Sequence, residues 1–148
     1  MPRTAELTPG LQQFLKGPVR GEIATLMPDG SPQVTLVWLD TDGTHIVVNS
    51  VTTHQKTRNV RRDPRVAINV HDDTARRLAH IRGRVVEMKL EGADEHIDQL
   101  ARKYLGTDTY PWRRSGEQRI ILKIQPVSVY SMGFEGGTAW PLPDRGQS

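Results

Sequence analysis

The sequence predicts a mainly β chain, a single antiparallel barrel over residues 1–148 with a few short helices outside it. Three observations carry this. Apolar and polar residues alternate with period two in about six segments. Turns rich in Pro, Asp and Gly separate several of them, where a parallel sheet would need long crossovers. Helical spacing appears only in three short stretches.

Thr8-Pro9 opens the first helix, since Thr8 can cap and Pro9 suits a first position that needs no N–H. It runs through Leu15 and stops at Gly17-Pro18. Ile23 and Thr25 then alternate with Ala24 and Leu26. The turn Pro28-Asp29-Gly30-Ser31 leads into a strand from Pro32 to Leu39. Asp40-Thr41-Asp42-Gly43 reads as a second turn before Thr44 to Asn49, completing a three-stranded meander. His54 to Arg62 is a basic helix halted at Asp63-Pro64, because a residue before proline avoids the α region. Arg65 to Val70 alternates again, and a long strand runs from Leu78 to Leu90. Ala93, Ile97, Leu100, Ala101 and Tyr104 follow helical spacing up to Gly106. Gly116 to Tyr130 is the last strand, and Gly133 to Gly137 is loop.

Composition narrows the function classes. A chain of 148 residues, 36% hydrophobic and 25% charged, suits one soluble core. It contains no cysteine, which excludes thiolate metal sites and thiol nucleophiles. Met1 to Glu6 lacks the apolar run of a signal peptide, and apolar stretches such as Ile120-Ile121-Leu122 are strand-sized. A cytoplasmic protein with no membrane partner is therefore expected. The net charge of +3 favours an anionic ligand, with nucleic acid, a phosphorylated cofactor and plain solubility all open. Only 5% of residues are aromatic, which argues against a stacking platform for single strands, and no nucleic-acid partner is expected.

Four constellations could carry chemistry. His54-Gln55-Lys56-Thr57-Arg58-Asn59-Val60-Arg61-Arg62 offers point charge, forked donors and the free N–H groups of a helix start, which together suit a phosphate. A solvated basic helix anchored by Val60 is an equally good reading from composition. Gln33 and Thr35 share a strand face where an amide and a hydroxyl could meet a planar ring, although outward polar positions on an edge strand are the commoner explanation. The five histidines, His45, His54, His71, His80 and His96, show no metal-ligand spacing and read as surface or half-buried. Tyr110-Pro111-Trp112-Arg113-Arg114 is an aromatic–basic cluster that either stacks on a ligand or packs as a lid. No nucleophile elbow, Walker loop or dinucleotide glycine motif is present, and no catalytic acid or metal ligand can be assigned.

The run Lys56-Thr57-Arg58-Asn59-Val60-Arg61-Arg62-Asp63-Pro64-Arg65-Val66 resembles the pyridoxamine-phosphate-oxidase-like flavoproteins, whose fold is the FMN-binding split β-barrel. The likeness extends from Gly21-Glu22-Ile23-Ala24-Thr25-Leu26 and Asp29-Gly30-Ser31-Pro32-Gln33-Val34 through Ile81-Arg82-Gly83-Arg84-Val85. The block Ile97 to Gly106 with Tyr110-Pro111 is similar to the branch whose members use the deazaflavin coenzyme F420. The resemblance implies a homodimer with two cofactors in grooves between subunits. It places the ring beside Gln33, Val34 and Thr35, and the phosphate near Ser50, Gln55, Lys56 and Arg58. Arg76, Arg77 and Leu78 would approach from the partner subunit; some relatives carry an aromatic near that point, and this chain does not. The implied activity is hydride transfer from reduced F420 to an electron-poor conjugated acceptor, an enone or a biliverdin-like tetrapyrrole. FMN is the alternative cofactor, in a reductase or oxidase; a non-catalytic cofactor carrier is the third reading. The cationic Arg76, Arg77, Arg113 and Arg114 favour F420, whose oligoglutamate tail FMN lacks.

Overall fold

Alternation places one set of side chains on a common face: Ile23 and Thr25, then Val66, Ile68 and Val70, then Ala79 and Ile81, all buried. The computed structural model describes residues 4–138. It contains α1 (Pro9–Lys16), β1 (Arg20–Leu26), β2 (Pro32–Leu36), β3 (Leu39–Thr41) and β4 (Ile46–Val51). These are followed by α2 (Gln55–Arg62), β5 (Arg65–His71), β6 (Leu78–Lys89), α3 (Ala93–Leu105) and β7 (Arg119–Met132). All strand pairs are antiparallel, in one curled sheet of order β2-β1-β5-β6-β7-β4-β3. The fold is the mainly β, split-barrel architecture the sequence predicts.

The start of the chain is organised differently from the expected meander. The segment Pro32 to Leu39 is two strands, and Asp40-Thr41 belongs to β3 rather than to a turn. β2 pairs with β1 while β3 pairs with β4, so the two hairpins lie at opposite edges of the sheet. Val37 and Trp38 carry the chain from one edge to the other, and the Val37 N–H bonds the Gly21 carbonyl at 3.0 Å. Barrel closure is the reason: two curled edges need a short connector, and a straight eight-residue strand could not supply one. At Gly21 an added Cβ would lie 2.4 Å from Leu39 Cδ1, so a bare backbone lets β1 meet β3 across the closure.

The core fills the barrel. Ile46, Val48, Ile120, Leu122 and Ile124 meet Ile23, Ile68 and Ile81, while Leu11 and Leu15 of α1 pack into the same cluster. Thr8 caps α1 by accepting the Leu11 N–H at 3.2 Å, with Pro9 in the first turn. The opposite face of β4 and β7 is also covered: Val47 and Ile121 form a second cluster with Ala93 of α3. α3 thus lies outside the barrel, ending at Gly106 in the left-handed conformation. Residues Gly133 to Gly137 are loop as expected, yet Phe134 is buried and meets Phe14 edge-on at 5.0 Å. Among the described residues, no helix is long and apolar enough to cross a membrane.

Candidate functional site

A cavity of about 760 Å³ opens where the start of β1, the Val37-Trp38 crossover, the end of β4, the start of α2 and one side of α3 converge. That volume falls in the range of small-molecule and cofactor sites. One corner is cationic. Lys56, His54 and Arg119 line it together with Asn49 and Ser50.

Local structure explains each position. α2 begins at Gln55 with His54 as a cap residue that makes no side-chain bond, so the first N–H groups of the helix lack helical partners. Val60 anchors the helix in the core. Thr57 and Asn59 are fully buried, and the Asn59 amide donates to Thr25 Oγ1 at 3.0 Å. Facing the barrel, these two residues leave Lys56 turned toward the cavity. Burial lowers the Lys56 pKa, and the like charge of Arg119 lowers it further. Among the described residues no carboxylate lies within ion-pair distance of this ammonium. His54 is shifted the same way, by burial first and then by Lys56 and Arg119, so its neutral form is favoured. Ser50 is buried, with Oγ 2.8 Å from Thr57 Oγ1; the Thr57 hydroxyl donates to the Val51 carbonyl at 2.8 Å, so the Ser50 proton goes to Thr57.

Arg119 heads β7, only 9% exposed, and its Nε is buried with no hydrogen-bond partner among the described residues. Its guanidinium sits 4.7 Å above the Tyr110 ring, and one terminal nitrogen lies 3.6 Å from the Glu117 carboxylate.

The opposite wall is aromatic. Trp38 stacks on Tyr104 with centroids 5.1 Å apart and planes inclined by 5°. Tyr110 meets Trp38 edge-on at 5.8 Å, and Trp112 stands 6.3 Å from it with 59% of its surface exposed. Asp98 fixes this loop by accepting the Tyr110 N–H at 2.8 Å and the Arg113 guanidinium at 2.7 Å. The Tyr110 N–H, and then Arg113 against a little burial, hold the Asp98 carboxyl below the usual carboxylate range. Arg113 therefore pins the aromatic loop through Asp98 and Asp94.

Of the sequence-predicted residues, the cavity gathers Ser50 and Lys56. Gln33 and Thr35 share the half-buried face of β2; Gln33 Oε1 lies 3.5 Å from Asn59 Nδ2, and Thr35 Oγ1 is buried without a partner among the described residues. Val34 points the other way, into a depression of about 510 Å³ on the outer sheet face beside Asn69, His80 and Tyr130. Gln55 donates to Asn59 Oδ1 at 2.8 Å and accepts from the exposed Arg58 at 2.5 Å. Arg76 and Arg77 are exposed at the turn before β6, with Arg77 5.7 Å over the Phe134 ring. Leu78 is half-buried, paired with His71 and Met132.

Sequence reasoning missed Trp38, Asn49 and Arg119. A cation heading the apolar run Ile120-Ile121-Leu122 looks like a solvated strand end, and Asn49 beside Ser50 looks like another. Their convergence depends on β4 pairing with β7, where Asn49 opposes Ile121 and Val51 opposes Arg119. The reading of all five histidines as surface or half-buried fails at His96, which is 8% exposed because α3 buries it against β3 and β4. Among the described residues no three histidine or carboxylate side chains converge as a metal site.

Comparison with known proteins adds an independent observation. The profile of the family described as "Pyridoxamine 5'-phosphate oxidase" matches residues 7–133. Among solved structures, one named "F420 Reductase" is 28% identical, with a TM-score of 0.71, over 83% of this chain and 98% of that one. A conserved hypothetical protein from Mycobacterium tuberculosis is 25% identical, with a TM-score of 0.64, over 88% of each chain. A protein from Listeria innocua, provisionally named a pyridoxamine 5'-phosphate oxidase, is 21% identical with a TM-score of 0.58, over 80% of this chain and 92% of that one, a likeness of fold. No protein in the curated set matches the chain.

Proposed function

The chain belongs to the pyridoxamine 5'-phosphate oxidase family, and from that premise we propose that it is an oxidoreductase dependent on coenzyme F420. One observation carries the cofactor reading: among the described residues, Lys56 is a desolvated cation without a carboxylate partner, beside a buried Arg119 whose Nε has none. Such a corner is unfavourable on its own and is relieved by an anion such as a phosphate. The residues therefore fit a phosphorylated cofactor. When bound, reduced F420 supplies a hydride as a two-electron donor. Lys56 and Arg119 would hold the anionic end, while Trp38 and Trp112 would offer flat surfaces to planar rings. The acceptor we propose is an electron-poor conjugated compound, an enone or a tetrapyrrole. The F420 Reductase likeness, at 28% identity over nearly the whole of that protein, supports the deazaflavin over FMN.

The site is completed in a homodimer in this reading. Val34 (64% exposed), Leu36 (80%) and Tyr130 (43%) are large apolar or aromatic side chains left uncovered, as a partner surface requires. The Arg76-Arg77-Leu78 turn would then contribute across the interface. Sedimentation should give twice the chain mass of 16.6 kDa. The deciding experiment titrates the protein with F420 and with FMN, following fluorescence. Tighter binding of F420 is expected; tighter binding of FMN, or binding of neither, refutes the cofactor assignment. Turnover with a conjugated acceptor separates an enzyme from a cofactor carrier.

A further inference from the structure

Behind the cationic corner lies a partly buried chain of polar side chains from three strands and α3. The Asn49 amide is its centre. Its Oδ1 accepts from the Arg119 guanidinium at 3.3 Å, and its Nδ2 donates to the Ala93 carbonyl at 2.9 Å. A guanidinium can only donate and a carbonyl can only accept, so these two contacts determine which way the amide points. Nδ2 also lies 3.1 Å from His96 Nδ1, and with Nδ2 the donor, Nδ1 must be the unprotonated ring nitrogen. The proton of His96 then sits on Nε2, which faces Asp40 Oδ2 at 3.4 Å. Asp40 is held in turn by the Thr41 N–H at 2.8 Å and by Lys16 at 3.6 Å. Although burial opposes it, the His96 bond, the Thr41 N–H and the charges of Lys103 and Lys16 keep the Asp40 carboxyl below its ordinary range. These bonds therefore run in one direction, from Arg119 to Asn49 and from Asn49 through His96 to Asp40.

We propose that Arg119 is an anion-binding residue of the cavity, and that Asn49, His96 and Asp40 are positioning residues that aim its guanidinium. The anion is the phosphate-bearing part of the cofactor, so the inference rests on the cofactor reading given above. Glu117 lies 3.6 Å from the same guanidinium and is the alternative partner toward which it would turn without Asn49. The network surrounds a cation whose Nε has no hydrogen-bond partner among the described residues. A buried network serving stability alone would be satisfied throughout.

The test uses inorganic pyrophosphate as a calorimetric probe and, beside it, F420 and FMN by fluorescence. Arg119→Ala should weaken pyrophosphate binding about 10-fold or more, and Asn49→Ala about 5- to 20-fold. The double variant should bind no more weakly than Arg119→Ala, since a positioning residue has nothing to position once the guanidinium is gone. His96→Asn retains an acceptor where Nδ1 stood and should stay within about 2-fold of the unmodified protein, whereas His96→Leu should fall with Asn49→Ala. Should Asn49→Ala lose its native circular dichroism, the contrast between the two His96 variants decides. Unchanged affinity in Arg119→Ala, losses that add in the double variant, or equal loss in both His96 variants overturns the proposal. If pyrophosphate follows the expected pattern while F420 and FMN fail to bind, the anion site stands and the cofactor reading falls. If F420 binds and Arg119→Ala leaves it unaffected, the cofactor reading stands and this inference falls.

Discussion

Replacing Lys56 by alanine should separate ligand binding from folding stability. The ammonium is half-buried, lacks a carboxylate partner among the described residues and is repelled by Arg119. Its charge therefore contributes nothing favourable to the empty fold, and Lys56→Ala should leave unfolding of the unliganded protein unchanged or slightly stabilised. Binding should move the other way. A hydrogen bond to a charged group contributes about 1.5–3 kcal/mol, so the cofactor dissociation constant should rise about 10- to 150-fold. Thermal denaturation converts this into a second readout. With cofactor at about 100 times its dissociation constant, the unmodified protein gains about 2.7 kcal/mol; a 100-fold weaker variant gains only about 0.4 kcal/mol. Arg58→Ala is the comparison, since that guanidinium is exposed and tied to Gln55, and it should shift affinity less. Equal affinities for the unmodified protein and Lys56→Ala, at low and moderate salt, would refute the argument. So would a loss of unliganded stability as large as the loss in binding, because Lys56 would then be a structural residue.

Three further outcomes follow from the packing. Tyr104 accepts the Leu39 N–H at 2.9 Å and donates to the Val19 carbonyl at 2.8 Å, so Tyr104→Phe should cost about 1–3 kcal/mol in urea unfolding by leaving both groups unpaired. A Cβ on Gly83 would lie 2.7 Å from the Gln125 carbonyl oxygen, where β6 and β7 shift register, and Gly83→Ala should destabilise by about 1–3 kcal/mol in the same assay. Burial pulls the Lys103 pKa down to about 8 from 10.5, although the charge of Asp40 resists. Between those two values the unfolded chain binds the extra proton, so this group's effect on stability rises with pH, by on the order of 1–3 kcal/mol in all. Unfolding free energies of the unmodified protein minus Lys103→Met, measured from pH 7.5 to 10, should increase; a flat difference would place that ammonium in a water-like environment.

The period-two pattern determined β5 and β6, because one face of each is buried and a slip by one residue would turn the apolar set outward. Thr8-Pro9, Asp63-Pro64 and Gly106 determined helix ends, since caps, pre-proline sterics and left-handed glycine act within a few residues. Lys56 stood out in the sequence through its basic motif, with a solvated helix an equal reading, and Ser50 only through the family resemblance. The split of Pro32 to Leu39 into two edge strands was not legible, because closing a curled sheet is a property of all seven strands together. The same holds for the site. Asn49, His96 and Arg119 are each unremarkable in their own segments, and they meet only where β4 pairs with β7 and α3 covers both. Burial makes their polar groups consequential: in water each would bond to solvent, whereas here their partners are one another, Ala93, Asp40 and Glu117.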